Sequence, residues 1–154
     1  MPLDDLIHFY QTLTPDGVRR FGEFYSADAY FKDPFNEVRG LAAIEAIFAH
    51  MFRQVDAPRF CVTEQIVDGG AAMLVWTFHF RSRWPLAADR VMRGVSHLRF
   101  AADGKVDYHR DYWDTGEELY LQLPGLGLLM RGLRRALGTP AAASGRSHST
   151  GAKP

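Results

Sequence analysis

The sequence predicts an α+β domain in which helices come first and a meander of antiparallel strands follows. Three observations carry this. Up to about residue 55 the apolar residues recur every three or four positions, the period of a helix face. From residue 59 to 114 they alternate, the period of a half-buried strand. Asp68-Gly69-Gly70 and Asp103-Gly104 fall between alternating runs, where tight hairpin turns belong. Helices followed by strands pack as a sheet with helices on one face. A strongly curved antiparallel sheet, with the N-terminal helices across its concave face, would enclose a pocket.

Each element has its own signal. Leu6, Phe9, Tyr10 and Leu13 predict a helix over 3–13. Thr14-Pro15-Asp16 predicts a second start, with Thr14 as cap and Pro15 in the first turn. That helix runs to about residue 25 on Val18, Phe21 and Tyr25. Residues 28–36 read as extended, because Pro34 pushes Asp33 out of the helical region. Leu41, Ile44, Ile47, Phe48, Met51, Phe52 and Val55 share one face of a helix over 41–55. Strands follow at 59–67, 72–84, 90–100 and 105–114. In the second, Leu74, Trp76, Phe78 and Phe80 face the core and Val75, Thr77, His79 and Arg81 face away. In the third, Met92, Gly94, Ser96, Leu98 and Phe100 form the inner set. A helix over 115–123, a break at Pro124-Gly125 and an amphipathic helix over 126–137 complete the pattern. Residues 138–154 hold no large apolar side chain and read as a disordered tail.

Composition bounds the function. The chain has 154 residues, one domain's length. It carries 18 basic and 18 acidic residues, which excludes nucleic-acid binding by bulk charge. The tail holds Arg146 and Lys153, so residues 1–137 carry a net charge of −2. The lone Cys61 excludes an intramolecular disulfide and multi-cysteine zinc sites. The acidic start lacks an apolar run, and no stretch reaches membrane-span length, so a cytoplasmic protein is the expectation. Aromatics make up 13%, enough to line a cavity as well as fill a core.

The candidate chemistry is carboxylate and imidazole. Asp33, before Pro34, either stabilises a turn or serves as a base. Strand alternation puts His109, Asp111 and Trp113 on one face, so His109 and Asp111 fit a hydrogen-bonded dyad. Such a pair is either structural or a proton-transfer unit. His109, Asp111, Asp33 and His79 are metal-ligand types, but no compact ligand spacing appears and no metal is expected. No glycine-rich phosphate loop appears, and no cofactor is implied. Ser96 and His97 point to opposite faces of their strand, so they cannot form a nucleophile–base pair. The 126–137 helix sets Leu126, Leu129, Met130, Leu133 and Leu137 against Arg131, Arg134 and Arg135. It reads as a lid hinged at Pro124-Gly125 or as an interface with a partner, with membrane association the less favoured reading.

Two stretches, residues 25–35 (Tyr-Ser-Ala-Asp-Ala-Tyr-Phe-Lys-Asp-Pro-Phe) and 38–44 (Val-Arg-Gly-Leu-Ala-Ala-Ile), resemble the NTF2-like superfamily. That superfamily includes ketosteroid isomerases and SnoaL-like polyketide cyclases. Residues 108–114 (Tyr-His-Arg-Asp-Tyr-Trp-Asp) are similar to its last strand, and the likeness covers about residues 3–123. The resemblance implies a cone-shaped fold, an apolar pocket and, because relatives are often dimers, a homodimer. Asp33 sits on the Asp-Pro motif whose Asp is the isomerases' general base. Tyr10 matches their oxyanion donor and Tyr25 the tyrosine that supports it. Ser96 stands where the isomerases carry a second donor, a protonated Asp. Asp111 matches the last-strand acid/base of the cyclases. Catalytic candidates are therefore Asp33, Asp111, His109 and Tyr10. Tyr25, Phe48, Phe52, Trp76, Phe78, Ser96, Leu98 and Trp113 are the expected ligand contacts. The function this implies is proton transfer next to a carbonyl in a steroid- or polyketide-like molecule. A non-catalytic binding module is the alternative.

Overall fold

The structure is a computed structural model that describes residues 3–83, 87–118 and 125–137. It opens with helix α1 (Leu3–Gln11), a 3₁₀ turn (Asp16–Arg20) and a short helix α2 (Phe21–Phe24). Strand β1 (Tyr25–Lys32), strand β2 (Glu37–Arg39) and helix α3 (Leu41–Gln54) follow. Four long strands come next: β3 (Val55–Asp68), β4 (Ala71–Ser82), β5 (Ala88–Phe100) and β6 (Val106–Tyr112). Helices α4 (Thr115–Glu118) and α5 (Leu126–Leu137) end the described chain.

The six strands form one sheet in the order β2-β1-β6-β5-β4-β3. β3 pairs with β4, β4 with β5 and β5 with β6, all antiparallel, and the β3–β4 and β5–β6 hairpins fall at the two predicted turns. One pairing departs from the antiparallel expectation: β1 runs parallel to β6, with Phe31 opposite His109. The two strands are far apart in sequence, and everything between them serves as the crossover that a parallel pair needs.

Several boundaries differ from those read off the sequence. Thr14 does accept from the Gly17 amide at 3.0 Å, so the predicted start is real. The helix expected to reach residue 25 instead stops at Phe24, and Tyr25 turns extended (φ −113, ψ 145) to begin β1. Sheet pairing with β6 overrides the helical spacing there. The extended stretch expected over 28–36 is β1 plus a turn. The third strand begins at Val55, not 59, because Val55 already pairs with Ser82. Pro58 is absorbed in a register shift between Asp56 and Arg59, where Ala57 takes φ 47. Trp113 lies past the end of β6. The helix expected over 115–123 is described only as α4, and the proposed disordered tail lies outside the described residues.

Helix α3 starts on Gly40, whose φ of 100 is left-handed territory. Gly40 donates to the Ala29 carbonyl at 2.9 Å and accepts from the Ile44 amide at 3.2 Å, so strand and helix are joined across a single residue. α1 packs on β3, and α3 packs on both β1 and β3. The core lies between them. Leu6, Phe21, Tyr25, Phe31, Ile44, Leu74, Leu98 and Val106 are fully buried. Phe9 stacks on Phe24 at 4.4 Å and meets Phe21 edge-on at 5.0 Å. Each such side chain contributes roughly 1.5–3 kcal/mol on burial. In β4 and β5 the predicted inner sets are the more buried ones.

α5 contrasts with this core. Leu129, Leu133 and Leu137 are 67%, 49% and 79% exposed, so its apolar stripe stays open to solvent. Among the described residues no helix is long and apolar enough to cross a membrane.

Candidate active site: a buried tyrosine–histidine–aspartate chain

Six polar side chains from five elements meet on the inner face of the sheet. Tyr10 comes from α1 and Tyr25 from the start of β1. Trp76 lies on β4, Ser96 on β5, and His109 and Asp111 on β6. Their hydrogen bonds form one continuous chain. The Tyr10 and Tyr25 hydroxyls are 2.5 Å apart. The Tyr25 hydroxyl is 2.6 Å from His109 Nδ1. His109 Nε2 is 2.8 Å from Asp111 Oδ1, and Ser96 Oγ donates to the same oxygen at 2.5 Å. Trp76 Nε1 donates to Ser96 Oγ at 2.9 Å.

Burial makes this chain strict. An unmade bond in a dry interior costs about 1–3 kcal/mol. Among the described residues, no buried side-chain nitrogen or oxygen lacks a partner. Burial also pushes both tyrosine hydroxyls well above the ordinary phenol range, so they remain protonated. Asp111 is the least enclosed member, with 16% of its side chain exposed against 3% for His109.

Two adjacent spaces lie against the chain. An inner pocket of about 20 Å³ is lined by Tyr10, Phe48, Phe60, Val62, Leu74, Trp76, Ser96, His109 and Asp111. It has room for one water-sized group. An outer cleft of about 460 Å³ has an apolar wall of Phe31, Phe48, Met51, Phe60, Trp76, Phe78, Met92 and Trp113, with Asp33, Asn36, His50, Arg53, Gln54 and Asp111 as its polar lining. That volume falls within the usual small-molecule range of ~300–1,000 Å³. Phe48, Phe60, Trp76 and Asp111 line both, so Asp111 stands where cleft and inner pocket meet.

The structure distributes the sequence candidates as follows. Asp111, His109, Tyr10, Tyr25, Ser96 and Trp76 come together in the chain. Phe48, Phe78 and Trp113 line the cleft, Trp113 packing edge-on against Phe35 at 5.4 Å. Leu98 is fully buried in the core opposite His109 in the β5–β6 register. Phe52 packs against the core and does not line either space. Asp33 lies on the cleft wall, but its turn holds it. Oδ1 accepts from the amides of Phe35 at 2.7 Å and Asn36 at 2.6 Å, and Oδ2 from the Asn36 side chain at 2.9 Å. Replacing Asp33 with Ala should cost about 1–2 kcal/mol in urea unfolding, the worth of a short loop's shared acceptor. A change below about 0.3 kcal/mol would show that the turn holds without it. Among the described residues, no three His, Cys, Asp or Glu side chains are grouped so as to hold a metal ion.

Phe60 and Gly94 are site residues that the sequence reading did not assign. A Cβ on Gly94 would lie 2.4 Å from Trp76 Cη2 and Cζ2. Trp76 and Gly94 are register partners, so the bare backbone lets the indole lie across β5 and reach Ser96. The available signal was a glycine inside a strand, which marks close approach. Gly94→Ala should displace the indole, cost about 1–3 kcal/mol, and change near-ultraviolet tryptophan dichroism. An unchanged spectrum and stability would show that the contact is soft.

Comparison with known proteins agrees with this architecture. The family model described as a SnoaL-like domain matches residues 6–109. Among curated proteins, none matches the sequence significantly. Of the solved structures, an NTF2-like protein of unknown function from Burkholderia pseudomallei K96243 superposes with a TM-score of 0.65 at 15% identity, covering 75% of this chain and 92% of that one. A protein from Shewanella denitrificans OS-217, whose description proposes a SnoaL-like polyketide cyclase, gives 0.63 at 18% identity, over 79% of this chain and 100% of that one. A hypothetical protein with a ketosteroid isomerase-like fold from Catenulispora acidiphila, crystallised with trimethylamine, gives 0.62 at 14% identity, over 73% and 85%. The fold is the NTF2-like cone, and the chain belongs to the SnoaL-like domain family.

Proposed function

We propose that the protein binds a small apolar molecule in the cleft and moves a proton at carbon beside a carbonyl, as a cofactor-independent isomerase or cyclase. One observation carries this reading: the Asp111 carboxylate sits at the junction of an aromatic cleft and a buried imidazole. Its Oδ1 is fixed by Ser96 and His109, and among the described residues nothing hydrogen-bonds its Oδ2. One oxygen is therefore oriented while the other can take a proton. His109 holds Asp111 in place through its Nε2 hydrogen bond to Oδ1. The neighbour whose description proposes a polyketide cyclase supports the reaction class.

Ser96 supports a cyclase-like reading over steroid isomerisation. The resemblance places it at the isomerases' second oxyanion donor, but its proton is committed to Asp111.

The test is α-carbon hydrogen–deuterium exchange in a panel of apolar cyclic ketones and 1,3-diketones, followed by NMR with and without the full-length protein. Exchange that depends on Asp111 supports the proposal. Binding of several panel members with no acceleration would favour a carrier or binding module instead.

A further inference from the structure

The hydrogen bonds of the buried chain have a sense that follows from which groups can donate. Trp76 Nε1 can only donate, so Ser96 Oγ accepts from it and gives its single proton to Asp111 Oδ1. His109 Nε2 faces that same carboxylate oxygen at 2.8 Å and Ser96 Oγ at 3.3 Å. Neither has a proton left to give, so Nε2 carries the hydrogen and donates. In the neutral ring Nδ1 is then bare, and the Tyr25 hydroxyl must donate to it. With its own proton spent, the Tyr25 oxygen accepts from Tyr10. Every bond then points toward Asp111, and Tyr10, the outer end of the chain, has lone pairs but no proton for a ligand.

We infer that the inner pocket takes a ligand hydroxyl rather than a carbonyl oxygen, and that Tyr10, Tyr25 and His109 form a relay that removes its proton. The inference deepens the proposed function and rests on its reading of the cleft as the ligand site. The inner pocket suits one such group, since it has room for a single water-sized group beside Tyr10. The step balances. The ligand O–H bond breaks as a new Tyr10 O–H forms. The original Tyr10 proton moves to Tyr25, and the Tyr25 proton moves to His109 Nδ1. The ligand becomes an oxyanion and the imidazole an imidazolium beside the Asp111 carboxylate. Tyr10 now holds the ligand's former proton and donates it back to the oxyanion as a hydrogen bond. The titratable groups around the ring are all in this chain: Tyr10 from α1, Tyr25 from β1 and Asp111 from β6. Phe31 closes the remaining side edge-on at 4.8 Å. The substrate class is therefore an acidic hydroxyl, an enol or a phenol. A phenol or enol gives up its proton far more readily than a simple alcohol, and the Asp111 carboxylate beside the ring offsets the charge that the imidazole gains.

Two measurements on the full chain test this. In protein carrying ¹⁵N-histidine at neutral pH, NMR should show His109 with Nε2 protonated and Nδ1 bare. A ring protonated at Nδ1 would reverse the chain and overturn the inference. Separately, 2-naphthol and its methyl ether differ only in the O–H. The naphthol should bind at least tenfold tighter, and Tyr10→Phe should erase that difference. Equal affinities in the unmodified protein, failure of the naphthol to bind, or a preference that survives Tyr10→Phe would each overturn it. Ketone exchange that depends on Asp111 without any naphthol preference sinks only the relay. A naphthol preference without ketone exchange sinks only the proposed function.

Discussion

Asp111→Asn should lower protein-catalysed exchange of ketone α-protons by about 10²–10⁴, the usual contribution of a positioned general base. The substitution is nearly isosteric. The amide oxygen can still accept from Ser96 and from His109 Nε2, so the chain of bonds and the cleft wall persist. What disappears is the lone pair able to take a proton from carbon. Ligand affinity should change by only a few-fold, since much of the wall is aromatic and Asp111 is one of several polar groups on the cleft. Stability should fall modestly. Two hydrogen bonds to a charged acceptor become neutral ones, a loss of about 1 kcal/mol, or roughly 3 °C in Tm for a chain of this size. Exchange measured at saturating ligand, with Tm followed in parallel, separates the two effects. A large drop in Tm with a proportionate loss of rate would make Asp111 a structural ion-pair partner. A rate within threefold of the unmodified protein would remove it as the base.

The legible part of the site was its strand-borne part. The two-residue period placed His109 and Asp111 on one face, and it placed Trp76, Phe78 and Ser96 on the inner set of their strands. Turn signals marked the β3–β4 and β5–β6 hairpins. The links between strands were not legible, because they depend on register. Trp76 reaches Ser96 because it lies opposite Gly94, and no local pattern reports that pairing. The parallel β1–β6 contact, which brings Tyr25 to His109, joins residues 84 apart and leaves no periodic trace. Tyr10 and Tyr25 came from the family likeness rather than from spacing. Local rules also misread Tyr25, which completes a helical stripe in sequence yet begins a strand. It sits there because its hydroxyl bridges the first helix and the last strand. Asp33 shows the opposite: the motif suggested a base, whereas the turn chemistry of an Asp before Pro describes what its oxygens hold.

The second large effect belongs to His109. Replacing it with Ala should destabilise the fold by about 3–5 kcal/mol, a large part of the roughly 5–15 kcal/mol that a domain possesses. Two causes add. The ring is 3% exposed, packed against Phe31, Tyr10 and Tyr25, so its removal leaves a cavity. Among the described residues it alone bridges the Tyr25 hydroxyl to Asp111, so each loses a partner. A double-mutant cycle separates these causes. In the unmodified protein Tyr25→Phe leaves both His109 Nδ1 and the buried Tyr10 hydroxyl without a partner and should cost about 2–4 kcal/mol. In the His109→Ala background the Tyr25 hydroxyl has already lost that acceptor, so the same change costs only the Tyr10 bond, about 1–2 kcal/mol less. The coupling should therefore be about 1–2 kcal/mol, read from urea midpoints with unchanged m-values. Additive costs would mean that the Tyr25–His109 bond contributes nothing beyond packing. In that case the buried chain would be a set of separate contacts, and a proton could not be passed along it.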